Sequence, residues 1–342
     1  GDARTSGLPR LPHQPAGWDP NLLDDEARGY LESAGVLGLE TPVERLQHMN
    51  QPAYEFYLNR NPGIDLAADR LEIGVCAQHN NGGIDVDLWW RSSIAGLFPV
   101  GEAAGAHGVA RPGGAALNSA QVGATRAAQW IAAREQGAAR ADEGWQELAG
   151  DALQKARSLL EAACGREESS GVLIDDVLME STRAMSDNAG LVRSRQGLEE
   201  LARNVAEWRR RVVDECVVDP TSRRSVDRLF LVRDILDVQA VYVAAMLDHL
   251  DHGVGSRGSV LYTDPDGDLP VSWWNDGADL DVEEIFRHRL DSKAHHGVTQ
   301  RVSVDAVGEA IHAHWGPVRP IPTEDEFLEN VWKTYRVDHN IH

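Results

Sequence analysis

The chain has 342 residues, enough for about two domains at the usual ~150 residues each. Its 54 acidic against 33 basic side chains leave a net charge of −21, a surface that repels phosphate backbones and anionic lipid and excludes nucleic-acid and membrane-surface binding as first readings. With 42% hydrophobic and 25% charged residues it is neither disordered nor fibrous, and its three cysteines, Cys76, Cys164 and Cys216, form no CxxC and cannot all pair, which fits a reducing compartment.

No apolar run approaches the roughly 20 residues that span a bilayer, so direct membrane insertion is not expected. The first thirty residues carry charges and four prolines where a secretory signal needs an apolar stretch. With the cysteine usage, this predicts a cytoplasmic protein. The opening Gly1, in place of Met, reads as a tag scar or the edge of a longer product.

In chain order, residues 1–70 read as short helical pieces broken by proline and glycine. Thr41-Pro42-Val43-Glu44 combines an N-cap, a proline at the first helical position and an acidic first turn, which predicts a helix running to about Asn59. Residues 71–135 are rich in glycine and alanine and hold two strand-like runs, Leu71 to Ala77 and Leu97 to Val100, then a helix of small residues from Ala115 to Ala133. Such glycine density suggests a backbone brought against a ligand. Residues 136–252 contain four amphipathic helices, Gly144–Ala163, Val172–Met185, Gly197–Val213 and Val226–Leu250, a bundle by pattern. Residues 253–342 form a C-terminal appendage of turns and tryptophans, with weak helices near Val282–Arg289 and Glu324–Trp332.

Three tempting motifs are set aside. Gly253-Val254-Gly255-Ser256-Arg257-Gly258 matches GxGxxG, but a helix precedes it where a dinucleotide turn needs a strand, so it reads as a helix exit. The pairs His249/His252, His295/His296 and His312/His314 lack partners at metal-ligand spacing, and no metal is expected. Asp264-Pro265-Asp266-Gly267-Asp268 lacks the rest of a calcium loop and reads as a polar turn.

The glycine-rich segment carries the chemistry. Leu97–Val100 delivers Gly101-Glu102, whose carboxylate can accept hydrogen bonds from cofactor hydroxyls. Gly113-Gly114 opens a helix whose N-terminal amides can face an electron-rich group, and Arg111 just before it can grip a carboxylate bidentately.

Gly96-Leu97-Phe98-Pro99-Val100-Gly101-Glu102, followed by His107-Gly108-Val109-Ala110-Arg111-Pro112-Gly113-Gly114-Ala115-Ala116-Leu117, resembles the second flavin-binding segment of the succinate dehydrogenase/fumarate reductase flavoprotein family, which includes L-aspartate oxidase. Members show GLFAxGE and then HGxNRLGxNSL. Gln78-His79-Asn80-Asn81-Gly82-Gly83 stands where the family has HYTMGG, and Ser256-Arg257-Gly258-Ser259 where it has ESRGAH.

The resemblance implies FAD as cofactor and hydride exchange between flavin N5 and a small carboxylate substrate, the cofactor supplying the hard chemistry. It implies cofactor binding by Gly101, Glu102, Gly113, Gly114, Ala116 and Leu117, with Glu102 on a ribityl hydroxyl and the backbone of Ala116 and Leu117 at the ring. Arg111 matches the arginine that clamps the substrate carboxylate and is the expected catalytic residue; Gln78 and His79 complete the substrate side, and His107 is the histidine of the HG pair.

Departures matter as much. Gln78 falls on the family's substrate histidine and brings no charge, while Ala115-Ala116 replaces Asn-Ser, so the substrate need not be succinate, fumarate or aspartate. The family's N-terminal dinucleotide-binding strand and turn and its RGEGG-like motif have no counterpart. The expected fold is therefore α+β and mostly helical: the end of a capping domain (1–70), the returning part of an FAD-binding domain (71–135), a helical bundle (136–252) and the appendage (253–342). Such a chain is expected to be inactive alone, to need an N-terminal FAD-binding half or complementary subunit, and to take an electron-transfer partner with a basic docking face. Exposed apolar surface there would favour homo-oligomers. The competing reading is a non-catalytic helical interaction module that keeps a flavoprotein scaffold.

Overall fold

Apolar residues spaced alternately three and four apart fill residues 144–252, and there the computed structural model places four long helices. The structure describes residues 21, 23–39, 41–69, 82–107, 115–134, 144–167, 171–258, 260–270, 282–305, 310–318, 323, 333–334 and 336–337. The chain divides into two units, residues 1–78 and 79–342.

In the first unit, α1 (Asp25–Ser33) is capped by Asp24, whose carboxylate accepts the Ala27 N–H at 2.7 Å. Thr41 and Glu44 form a reciprocal capping box at the start of α2 (Pro42–Met49). The single helix expected to reach Asn59 is two helices. Asn50, at φ −147° and ψ 60°, leaves the helical conformation and caps α3 (Gln51–Arg60) by accepting the Ala53 N–H. Pro52 accounts for the break, since its ring and missing N–H suit the first turn of a new helix and not the interior of a longer one.

In the second unit, α4 (Ala115–Arg134) and α5 (Trp145–Cys164) precede the bundle proper. There α6 (Ile174–Ala189), α7 (Arg195–Asp214) and α8 (Arg223–Asp251) pack together. Besides Gly197, the buried residues of α7 are Leu198, Leu201, Val205, Trp208 and Val212, and those of α8 are Leu229, Val232, Leu236, Gln239 and Val243, each a 3-4-3-4 series that keeps one seam inward. Ile174 and Val177 of α6 complete the core, and Leu159, Leu160 and Ala163 of α5 pack on it. Ser194 and Ser222 cap α7 and α8. Arg166 closes the end of α7 by donating to the Val213 and Cys216 carbonyls, each at 2.8 Å.

Two short parallel pairings staple the bundle. β1 (Val172–Leu173), before α6, pairs with β3 (Cys216–Val217), before α8. β2 (Val192–Arg193), between α6 and α7, pairs with the start of β4 (Leu261–Asp268), after α8. An antiparallel hairpin, β5 (Val298–Val304) with β6 (Ile311–Pro317), brings Gln300 opposite Trp315, and both donate to Asp248 Oδ2 on α8, at 2.7 and 2.8 Å.

The fold is thus α+β and mostly helical, as expected, with corrections. Leu97–Val100 is no strand: Val100 is extended, but the run has no ladder partner among the described residues. The helix expected over Val282–Arg289 is only a 3-10 turn, Glu284–Phe286, after which His288 bridges to Thr263 and Asp268. Asp264–Asp268 is not a free polar turn but the second half of β4, held by Asp264 N–H donating to the Arg287 carbonyl at 2.9 Å. Gly267 allows that approach, since a Cβ there would lie 2.4 Å from the His288 carbonyl oxygen. The strand expected over Leu71–Ala77 and the helix over Glu324–Trp332 lie outside the described residues.

Candidate functional site

Residues 82–107 are a loop clipped to α4 at two points. At the first, Arg126 Nε donates to the Leu88 carbonyl at 2.7 Å and its guanidinium lies 4.1 Å over the Trp89 ring. Arg91 lies 4.0 Å over Trp130, whose ring is 5.8 Å from Trp89, so two guanidiniums and two indoles interleave. Trp90, at φ +58°, presses on Gly123 so closely that a Cβ there would lie 2.5 Å from the indole nitrogen. Asp87 shapes the turn by accepting the N–H groups of Trp89 and Arg91, and Arg91 Nε donates to its other oxygen at 2.6 Å. Partial burial works to raise the Asp87 carboxyl, but these donors and the guanidinium outweigh it and hold the group below the usual carboxylate range.

At the second point the chain turns through Gly101–Ala103 onto the first turns of α4, with Gly101 at φ +66° and 3.5 Å from the Ala120 methyl if it carried a Cβ. A parallel bridge fixes this turn from behind: Ile84 N–H donates to Ala103 O at 2.9 Å, and Gly105 N–H to Ile84 O at 2.8 Å. Gly83 permits it, because a Cβ would sit 2.6 Å from the Ala103 carbonyl oxygen. Ala104 is fully buried behind the turn, while Glu102 is exposed.

Gly101 and Glu102 are therefore brought to the helix end that carries Ala116 and Leu117, the latter 75% exposed. An exposed carboxylate acceptor beside the start of a 20-residue helix fits the hydroxyl-rich chain of a flavin cofactor. Gln78, His79, Arg111, Gly113 and Gly114 lie outside the described residues. An open cleft of about 670 Å³ borders the same loop, between Asp85 and Phe98, where Arg301 Nε meets Asp85 at 2.9 Å.

Sequence reasoning missed the tryptophan–arginine clip. Its signal was Trp89-Trp90-Arg91 set against Gly123, Arg126 and Trp130, with Trp130 seven positions, two turns of helix, after Gly123. It also missed the packing of the histidines. His249 Nδ1 lies 3.3 Å from the Tyr262 hydroxyl, and the rings of His249, His252 and His295 surround Trp315 at 5.0 to 5.7 Å. Burial, reinforced by Arg257 and Arg193 and opposed by Asp248, pushes the His249 imidazole down to about 4. His295 and His296 face the Asp291 carboxylate at 3.6 and 3.4 Å. Among the described residues no group of three or more His, Cys, Asp or Glu is placed to hold a metal ion, and no helix is long and apolar enough to cross a membrane.

The GxGxxG string is a helix exit. Gly253, at φ +67°, donates to the Leu250 carbonyl and Val254 to that of His249, the paired bonds of a Schellman motif.

No family model matches the chain. It is 39% identical over 66 residues to a subunit of the fumarate reductase (CoM/CoB) of Methanothermobacter marburgensis, covering 19% of this chain and 12% of that protein. It is 36% identical over 86 residues to L-aspartate oxidase of Pyrococcus furiosus, covering 25% and 18%. The matched segment is thus a small part of either relative. Among solved structures, E. coli quinol fumarate reductase FrdA aligns over 87% of this chain and 49% of its own, at TM-score 0.60 and 18% identity. Mycobacterium smegmatis Sdh1 in its apo form aligns over 97% and 55%, at 0.55 and 18%. The chain spans about half the length of these solved structures, over that half its fold is that of the fumarate reductase/succinate dehydrogenase flavoproteins, and a short segment of it is similar to the fumarate reductase subunit and to L-aspartate oxidase.

Proposed function

We propose that this chain is part of an FAD-dependent oxidoreductase that transfers hydride between the flavin and a small carboxylate-bearing substrate. The observation that carries the reading is the Gly101–Glu102 turn held by the Ile84–Ala104 bridge against the start of α4. FAD, when bound, supplies the hydride donor or acceptor. Glu102 would accept a hydrogen bond from a ribityl hydroxyl, and glycines at 101, 113 and 114 would leave room for the cofactor. The backbone amides at Ala116 and Leu117, near the start of α4, would favour an electron-rich group there. Arg111 fixes the substrate carboxylate through two parallel hydrogen bonds, and the Gln78 amide and His79 imidazole donate beside it. With Gln78 neutral, the site holds one positive charge fewer than a histidine there would supply, which favours a substrate of lower charge than a dicarboxylate.

The chain spans about half the length of its structural relatives; on this proposal a preceding half or a complementary subunit supplies the adenine and pyrophosphate contacts, and turnover requires it. In this reading residues 1–70 end a capping domain, 71–135 return to the FAD-binding domain, 136–252 form the helical domain and 253–342 are appended. The protein works in the cytoplasm, and its acidic surface selects a redox partner with a basic face.

The test is a flavin absorbance spectrum of the purified chain, alone and after mixing with FAD and the polypeptide encoded just upstream. A bound flavin band is expected only in the mixture and is weakened by Glu102→Leu; Arg111→Ala leaves the band and abolishes turnover of carboxylates. No band under either condition overturns the reading in favour of a non-catalytic helical module, a role consistent with Gln78 and Ala115-Ala116 standing where the family has charged and polar groups.

A further inference from the structure

We propose that Trp90, seated on Gly123, sets the height at which the Gly101–Glu102 turn stands over α4, and so acts as a positioning residue for the flavin; the inference rests on the flavin reading given above.

The first ground is where the two clips fall. Gly101 stands over Ala120, and the Trp90 ring lies over Gly123, three positions and about 4.5 Å further along the same helix face. A Cβ at Gly123 would meet three indole atoms at 2.5 to 3.0 Å, the nitrogen closest. That nitrogen has no hydrogen-bond partner among the described residues, so the shape of the seat, and no directional bond, decides where the ring rests.

The second ground is stiffness. Trp90 belongs to a knuckle closed on itself, its N–H donating to the Asp87 carbonyl and the Asp87 N–H to the Arg91 carbonyl, each at 3.1 Å. Ser92 N–H donates to the Leu97 carbonyl at 3.0 Å, and only Phe98, Pro99 and Val100 separate Leu97 from the turn. The ring of Pro99 fixes its φ, and Val100 is extended at φ −132° and ψ 161°. From the other side, Ile84 holds Ala103 and Gly105. A shift of the indole is therefore carried to Glu102 and not absorbed on the way.

The third ground is strain. Trp90 holds φ +58°, which an aromatic residue adopts at a cost and which persists where neighbours over-determine it. Glycine would hold that backbone freely, so the indole is what position 90 contributes. The height matters because O–H···O hydrogen bonds lie between about 2.5 and 3.0 Å. A turn raised by the thickness of a methyl group loses the bond from a ribityl hydroxyl to Glu102.

The test measures FAD affinity by flavin fluorescence in the mixture of the full chain with the upstream-encoded polypeptide. Gly123→Ala, which drives the indole up, is expected to weaken FAD binding at least tenfold, and adding Trp90→Phe recovers the affinity to within threefold. Trp90→Gly relieves the strain but removes the wedge, and is expected to lose at least fivefold. A cycle with Glu102→Leu separates positioning from plain destabilisation: in that background Gly123→Ala costs less than a further twofold. Amide hydrogen exchange on the chain alone needs no flavin, and Gly123→Ala is expected to speed exchange at Ile84 and Gly105 at least tenfold while α7 and α8 keep their rates. Unchanged FAD affinity in Gly123→Ala, losses that add to that of Glu102→Leu, or unchanged exchange at Ile84 and Gly105 overturns the proposal. If Gly123→Ala does not fold, Trp90→Gly carries the same cycle and the same exchange measurement. Absence of flavin from the wild-type mixture overturns the flavin reading and this assignment with it, whereas a wild type that binds flavin beside variants that bind it equally overturns this assignment alone.

Discussion

His249 shows how one side chain can set an acid limit on the fold. Its ring sits against Tyr262 and Trp315, and burial among Arg257 and Arg193 lowers its pKa from 6.5 to about 4. Between those two values the unfolded chain binds a proton that the folded chain refuses, so stability rises with pH there and is lost as pH falls. None of the penalty is felt above about pH 6.5; by pH 4 it is on the order of 3 kcal/mol, at 1.36 kcal/mol per unit. Urea unfolding of the wild type and of His249→Phe across pH 7 to 4 is expected to show a loss that the variant escapes in part. A core position behaves differently. Leu201 is fully buried in the α7 seam, and Leu201→Ala is expected to cost about 2–5 kcal/mol at any pH, read from the urea midpoint.

The elements were legible in proportion to how locally they are determined. The helices over residues 144–252 could be read because α7 and α8 keep a 3-4-3-4 series, apolar throughout but for Gln239, over nearly four turns, which no other local structure satisfies. The hairpin escaped notice because its inward face carries Gln300 and Trp315, whose partners are on α8, so alternation of apolar and polar residues is blurred. Leu97–Val100 failed for the opposite reason: strand-forming residues need a neighbour to pair with, and nothing in the run says whether one arrives. At the candidate site, Gly101 and Glu102 were readable from sequence, whereas the Ile84–Ala104 bridge that aims them was not, because it joins residues that only the folded loop makes adjacent. Gly83→Ala tests that bridge. Its Cβ would meet three backbone groups within 3 Å, and the expected cost is about 1–3 kcal/mol in urea unfolding, with loss of flavin retention in the mixture with FAD and the upstream polypeptide.

Across the whole molecule, self-repulsion works against the compact state. A net charge of −21 lowers stability most at low ionic strength, so the thermal midpoint is expected to rise between 10 mM and 200 mM sodium chloride, where the screening length falls from about 30 Å to under 10 Å. A midpoint independent of salt would mean that the local ion pairs, such as Arg209 with Asp237 and Arg195 with Asp251, already neutralise the field. The two parallel staples bear on a different property. Val172 finds Cys216 only across α6 and α7, and Val192 finds Leu261 only across α7 and α8, so each closes a long loop after neighbouring helices have met. Contacts that close such loops are expected on the native side of the rate-limiting barrier. Weakening one, as in Val192→Ala, is then expected to leave the refolding rate nearly unchanged and to raise the unfolding rate in stopped-flow urea jumps, so that these four residues act less as scaffolding than as the clasp that sets how long the molecule stays closed.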